Sequence, residues 1–238
     1  MEELAVLAEK HLGVEISARQ LDQFSLYRDL LLHWNQKTNL TAIKDESEMV
    51  IKHFFDSLTC LKAINRPATF SLVDVGTGAG FPGIPLKIVL PEISLTLVDS
   101  VGKKADFCRL VVDSLRLTTT EVMHARAEEV GHNSALREKF DYAAARAVAE
   151  LAVLTEYLLP LVKVGGTALA MKGRINSEEV NAAERAVSIM GGKFKEPVEI
   201  MLPDGYGHRM IYPIIKVSPS PPNYPRRSGV PSRKPIRN

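Results

Sequence analysis

Cysteine is scarce in this sequence: 238 residues contain two, Cys60 and Cys108. Two thiols make no disulfide framework, and neither has the short spacing to other ligands that a structural metal site uses, so no metal is expected. Long apolar runs are also missing. None approaches the ~18 residues that a membrane span needs. The N-terminal stretch MEELAVLAEKHLG is charged and helical in pattern, unlike a signal peptide. A reducing cytoplasm is the expected home, with no membrane partner. Net charge is only +2, too little to argue for a nucleic-acid partner. It is unevenly spread, however. Residues 218–238 hold Arg226, Arg227, Arg233, Lys234 and Arg237 and no acid, which leaves the preceding 217 residues at −3.

What is present falls into three stretches. Residues 1–65 read as a helical extension. Ser17 and Gln20 fit a capping box, so a helix should start at Ala18. Leu21, Phe24, Tyr27, Leu31 and Trp34 then recur at three- and four-residue steps and mark one buried face. A second helical run covers roughly 46–64. Residues 66–217 alternate short apolar runs with amphipathic stretches. Strands are expected at 71–75, 94–99, 119–124, 140–145 and 167–171, with helices between most of them. That alternation predicts an α/β fold with a parallel sheet. Two extended runs, 193–201 and 208–217, flank Pro203-Asp204-Gly205, a β-hairpin signal at the sheet edge. Residues 218–238, with six prolines, read as a tail without a core of its own.

The chemical signal is Leu72-Val73-Asp74-Val75-Gly76-Thr77-Gly78-Ala79-Gly80-Phe81-Pro82-Gly83, between a predicted strand and a predicted helix. Gly78, Gly80 and Gly83 alone would also suit a nicotinamide enzyme. Asp74 favours S-adenosylmethionine: an acid two residues before Gly76 suits a methionine amino group and would repel a pyrophosphate. Asp99, ending the second strand, suits ribose hydroxyls in either cofactor, or a cap for the next helix. Beyond the third strand, Ala127 and Glu128 are candidates to read an adenine edge.

Ligands of open α/β sheets lie beyond the carboxyl ends of the strands. Arg126, Arg146, Lys172 and Arg174 follow strands three, four and five. Lys103 and Lys104 open a helix, where the dipole disfavours cations by about 0.3–1 kcal/mol. This surplus of positive charge suggests a polyanion, and a phosphodiester backbone is the obvious one. A small-molecule methyltransferase, a nicotinamide-dependent oxidoreductase and a non-catalytic RNA-binding factor are the alternatives.

With these residues in place, the chain resembles the ribosomal RNA small subunit methyltransferase G family, also called glucose-inhibited division protein B. The likeness runs through Asn39-Leu40-Thr41-Ala42-Ile43, Lys52-His53-Phe54-Phe55-Asp56-Ser57-Leu58, the glycine loop with Phe81-Pro82-Gly83-Ile84-Pro85-Leu86-Lys87-Ile88, Met171-Lys172-Gly173, and Tyr224-Pro225-Arg226-Arg227. The resemblance implies a Rossmann-like S-adenosylmethionine-dependent methyltransferase. It also implies methyl transfer to N7 of a guanine, guanosine 527 in the usual RNA numbering, in 16S ribosomal RNA or the small ribosomal subunit. Cofactor contacts are implied at Gly76, Phe81, Asp99 with Ser100 and Val101, Ala127-Glu128 and Arg146. Arg146 and Lys172 are candidates to orient the base or its phosphate. Asn39, His53, Arg126 and Arg209 are candidate substrate contacts. Guanine N7 carries a lone pair and no proton, so no general base is expected.

Overall fold

A computed structural model describes residues 1–38, 40–43, 45–65, 69–146, 149–173 and 175–237. Five parallel strands, β1 (Ser71–Val75), β2 (Ser94–Asp99), β3 (Thr120–His124), β4 (Phe140–Arg146) and β5 (Val162–Lys172), lie in the order β3-β2-β1-β4-β5. The strand order therefore reverses between β1 and β4, which opens a crevice beyond their carboxyl ends.

The edge hairpin forms, but its first arm is broken. β6 (Gly192–Phe194) and β7 (Val198–Met201) both pair antiparallel with one side of β8 (His208–Lys216), whose other side pairs with β5. Sequence periodicity predicts one run over 193–201. Pro197 interrupts it, because proline has no N–H for the ladder. Leu202 N donates to Gly207 O at 3.0 Å to close the loop, where Asp204 takes a left-handed φ of 54°.

Strand residues alternate between two cores. Leu72, Leu95, Leu97 and Leu169 face α1 (Glu2–Leu12), α2 (Ala18–Thr38), α5 (Gly83–Val89) and α6 (Gly102–Ser114). Val73, Val75, Val98, Ala143 and Ala145 face α7 (Ala127–His132), α8 (Leu151–Leu158) and α9 (Ser177–Ile189). Helix α2 starts at Ala18 as the capping box predicts, with Ser17 N donating to Gln20 Oε1 at 2.9 Å. Phe24, Tyr27 and Leu31 on it are fully buried. No described helix is long and apolar enough to cross a membrane.

The run over 46–62 is not one regular helix. It comprises α3 (Glu46–Met49), a π-helical segment (Val50–Phe55), α4 (Asp56–Leu58) and a 3₁₀ turn (Thr59–Lys62). Asp56 N–H reaches back five residues to Ile51 O, which widens the helix above the sheet ends. Such widenings often mark functional segments.

The proline-rich tail borrows a core rather than forming one. Pro225 and Pro231 are buried, and Tyr224 and Ile236 pack against the second core. Arg137 donates to the carbonyls of Ser220, Pro221 and Tyr224. Arg226 forms a forked ion pair with Glu156, which is fully buried on α8, its Nη2 lying 2.6 Å from Oε2. Gly229 N donates to Glu128 Oε1 at 2.7 Å, just ahead of α10 (Val230–Arg233).

Removing one partner of such a pair strands a charge in the core. Arg226→Met should lower unfolding free energy by about 3 kcal/mol, the low end of the range for buried pairs, because Arg226 is partly exposed. Arg226→Met with Glu156→Leu should regain most of that loss. Denaturant titration of the three proteins checks both.

Candidate active site

A cavity of 640 Å³ opens at the carboxyl ends of the strands, lined among others by Gly76, Gly78, Phe81, Asp99, Ser100, Val101, Arg146 and Lys172. That volume is in the range that holds a nucleoside-sized ligand. Leu40, Thr41, Ile43, Lys52, His53 and Asp56 of the N-terminal stretch complete the wall, with Arg209 from β8.

The glycine loop is shaped from behind. Asp74 is fully buried and does not line the cavity. Its Oδ2 accepts from Thr77 Oγ1 at 2.7 Å and from Gly83 N at 2.8 Å, so it ties the two ends of the loop together. Sequence reasoning places this carboxylate against the cofactor; in the structure its Oδ2 braces the loop and its Oδ1 has no partner. Burial raises its pKa to about 6. Gly80 is likewise a packing position. A Cβ there would come within 2.4 Å of Ile84 and 2.6 Å of the Tyr27 hydroxyl, which itself donates to Ala79 O. Gly78 differs: at φ +62° its missing Cβ meets nothing within 4 Å, and its backbone borders the cavity.

Asp99 is nearly buried and bridges two elements. Oδ2 accepts from Gly78 N and Oδ1 from Val101 N, both at 2.8 Å. Each oxygen keeps a lone pair for a further donor. The two sequence readings of Asp99, ligand residue and helix entry, are therefore compatible.

Arg146 links β4 to the N-terminal helices. Its Nη1 lies 3.1 Å from Asp56 Oδ2 and 3.3 Å from Lys52 O, His53 O and Ser57 Oγ. Two of these acceptors are carbonyls of the π-helical segment. The guanidinium carbon sits 4.8 Å from the Phe81 ring centre, and His53 stacks on Phe81 at 4.6 Å. His53 Nδ1 faces Arg146 Nη2 at 3.4 Å, so it serves as an acceptor and Nε2–H donates to Thr41 Oγ1 at 2.8 Å. Burial, then the Arg146 charge, pulls the His53 pKa down to about 3.

Two strand-end cations are already matched by acids. Lys172 Nζ contacts Glu179 Oε1 at 2.5 Å and Ala149 O at 2.9 Å. Arg146 and Arg209 share Asp56 Oδ2, at 3.1 and 3.4 Å. Arg126 is exposed at the start of α7 and does not line the cavity. Ala127 and Glu128 do not line it either, and the Glu128 carboxylate turns to the tail at Gly229. Asn39 and Arg174 lie outside the described residues. The hub that sequence reasoning missed is Asp56. Its signal was its place one helical turn after His53 in the Lys52–Leu58 motif, which puts both on one helix face.

Comparison with known proteins resolves the choice that the glycine loop leaves open. The family described as rRNA small subunit methyltransferase G matches residues 20–202. The chain belongs to this family. The ribosomal RNA small subunit methyltransferase G of Alkaliphilus metalliredigens is 46% identical over 228 residues, covering 96% of this chain and 95% of that protein. That of Pelotomaculum thermopropionicum is 47% identical over 239 residues, covering 98% and 100%. A SAM-dependent methyltransferase from Aquifex aeolicus shares the fold, with a TM-score of 0.52 at 18% identity over 72% of this chain and 94% of that one. The fold is thus Rossmann-like, and the family's cofactor is S-adenosylmethionine. The cavity fits that group: Gly78 leaves the backbone open, Asp99 retains acceptor capacity, and Val101 and Met171 supply apolar wall.

Two outcomes follow from this geometry. Gly80→Ala should destabilise the fold by about 1–3 kcal/mol, because the loop must shift. Gly78→Ala should cost about 1–2 kcal/mol of backbone strain, yet weaken S-adenosylmethionine binding more than stability. Calorimetric binding and thermal melts separate the two. The His53 imidazole should show no NMR titration between about pH 5 and 8; a midpoint near its ordinary 6.5 would mean that the Arg146–Phe81 enclosure does not hold. Between about 3 and 6.5 the unfolded chain binds a proton that folded His53 refuses, so this residue's contribution to stability falls as pH drops through that window. Asp74 acts in the opposite sense: its folded form titrates at about 6 against an ordinary 3.8, so its charge penalises the fold increasingly as pH rises between them.

Proposed function

We propose that this protein transfers the methyl group of S-adenosylmethionine to N7 of one guanine, guanosine 527 in the usual RNA numbering, in small-subunit ribosomal RNA. Family membership supports the rRNA substrate. The observation that carries the atom is the state of His53. It is the one imidazole in the cavity wall among the described residues, it is neutral, and both ring nitrogens are engaged by Arg146 and Thr41. A site arranged in this way suits a nucleophile with no proton to surrender, and guanine N7 is such an atom.

The loop Gly76–Phe81, Asp99 with Ser100 and Val101, and the Arg146 side chain hold the cofactor in this reading. When bound, S-adenosylmethionine supplies an electrophilic methyl group. Arg146 and Lys172 orient the base from the ends of β4 and β5, and His53 with Phe81 walls off water. Positioning of this kind contributes about 7–11 kcal/mol toward the barrier. Lys104, together with Lys52 once it exchanges Glu48 for a phosphate, gives the cavity mouth its positive charge toward the RNA backbone.

Methyl transfer from labelled S-adenosylmethionine to small subunits purified from cells lacking the protein tests this reading. Label should map to N7 of a single guanine. Absence of label with cofactor binding intact would contradict the substrate. Binding of the RNA should weaken steeply as salt rises, by counterion release. A flat salt dependence would remove the phosphate role of Lys52 and Lys104.

A further inference from the structure

Three buried side-chain polar atoms among the described residues have no hydrogen-bond partner: Trp34 Nε1, Asp74 Oδ1 and Asp56 Oδ1. Only Asp56 belongs to the cavity wall. Its side chain is 4% exposed, and Oδ2 is shared by two guanidinium groups while Oδ1 accepts nothing. Buried acceptors are nearly always satisfied, so an idle carboxylate oxygen closed off just inside a cavity wall calls for a donor that reaches it when a ligand rearranges that wall.

The two cations on Oδ2 are not equivalent. Arg146, 14% exposed, has acceptors from four residues of the N-terminal helices and is fixed. Arg209, 27% exposed, sits at 3.4 Å and is otherwise bonded through Nη1 to His208 O. Arg209 is the partner that can swing aside and leave acceptor capacity on both carboxylate oxygens. The wall then presents a carboxylate next to a mobile guanidinium. The Watson–Crick edge of guanine presents two adjacent donors, N1–H and the 2-amino group, beside the O6 acceptor. Adenine offers a single donor group there and no 2-amino group.

We infer that Asp56 is the base-recognition residue, accepting from guanine N1–H and the 2-amino group while Arg209 turns toward O6. The inference rests on the guanine reading above and adds the contact that selects the base. With Asp56 on N1–H and the 2-amino group and Arg209 donating to O6 alone, N7 on the adjacent Hoogsteen edge stays unencumbered. Nothing is transferred to Asp56; it only holds the base.

The test crosses a protein change with a substrate change. Small subunits are assembled with inosine, which lacks the 2-amino group, in place of the target guanosine. For the unaltered protein, kcat/KM on inosine subunits should be roughly 10- to 100-fold below that on guanosine subunits, as expected when a polar contact built for the substrate goes unmade. In Asp56→Asn, the two substrates should differ by less than about threefold, since the contact is already lost. Any loosening of Arg146 in the variant acts on both substrates alike and cancels from the ratio of inosine to guanosine rates, with S-adenosylmethionine held at saturation as judged by calorimetry. Equal rates on inosine and guanosine with the unaltered protein would overturn the inference without recourse to any variant. An unchanged inosine penalty in Asp56→Asn would also overturn it, leaving Asp56 as a strut for Arg146. No transfer to guanosine subunits at all would overturn the rRNA reading itself, a distinct result.

Discussion

The contact between Arg146 and the π-helical segment is the joint on which the site depends. Arg146 stands at the end of β4, beside the point where strand order reverses. From there it reaches Asp56 Oδ2, two helix carbonyls and the face of Phe81. One side chain thereby fastens a helical extension, a sheet end and the glycine loop to one another. The His53 carbonyl also accepts from Asp56 N and from Ser57 Oγ, so the guanidinium adds a further donor to a helix carbonyl that already serves its own segment. Phe81 completes the joint by lying under both Arg146 and His53, in a position that the braced loop imposes.

The chemistry follows from how charge is disposed around that joint. Arg146 and Lys172 are held against acids, so they act as oriented dipoles and donors more than as free charges. Lys52 and Arg209 in the same wall are paired as well, with Glu48 at 3.0 Å and Asp56 at 3.4 Å, which leaves Lys104 as the lining cation with no acid beside it among the described residues. Burial first, and then the charge of the Arg146 that orients it, pull the His53 pKa down. On the reading proposed above, a site that suppresses the one imidazole among its described lining residues and supplies rigid donors holds a nucleophile still.

Much of this was legible in the sequence. The alternation of strands and helices gave the parallel sheet, and Ser17 with Gln20 gave the start of α2, because local hydrogen bonds and apolar period decide both. The glycine loop and Asp99 located the cavity. What the sequence hid was direction. Asp74 and Glu128 are acids at positions that suit a ligand, yet Asp74 points back into its own loop and Glu128 toward Gly229, 101 residues on. No local pattern reports such long-range partners. The break at Pro197 could have been read from proline's missing donor. The π-helical widening could not, because its stabilising contact comes from Arg146 in a distant strand. Asp56 stood in plain view within a quoted motif, but its importance arises only where β4 and β8 bring two arginines to it.

Hydrogen exchange with and without S-adenosylmethionine tests the central claim, that the N-terminal helices form a wall of the cofactor site. Amides of residues 50–62 and of the loop 76–81 should gain protection together when the cofactor binds, because Arg146 and Phe81 couple them. Protection confined to the loop, with 50–62 unchanged, would show the extension to be independent of the site and would contradict the account.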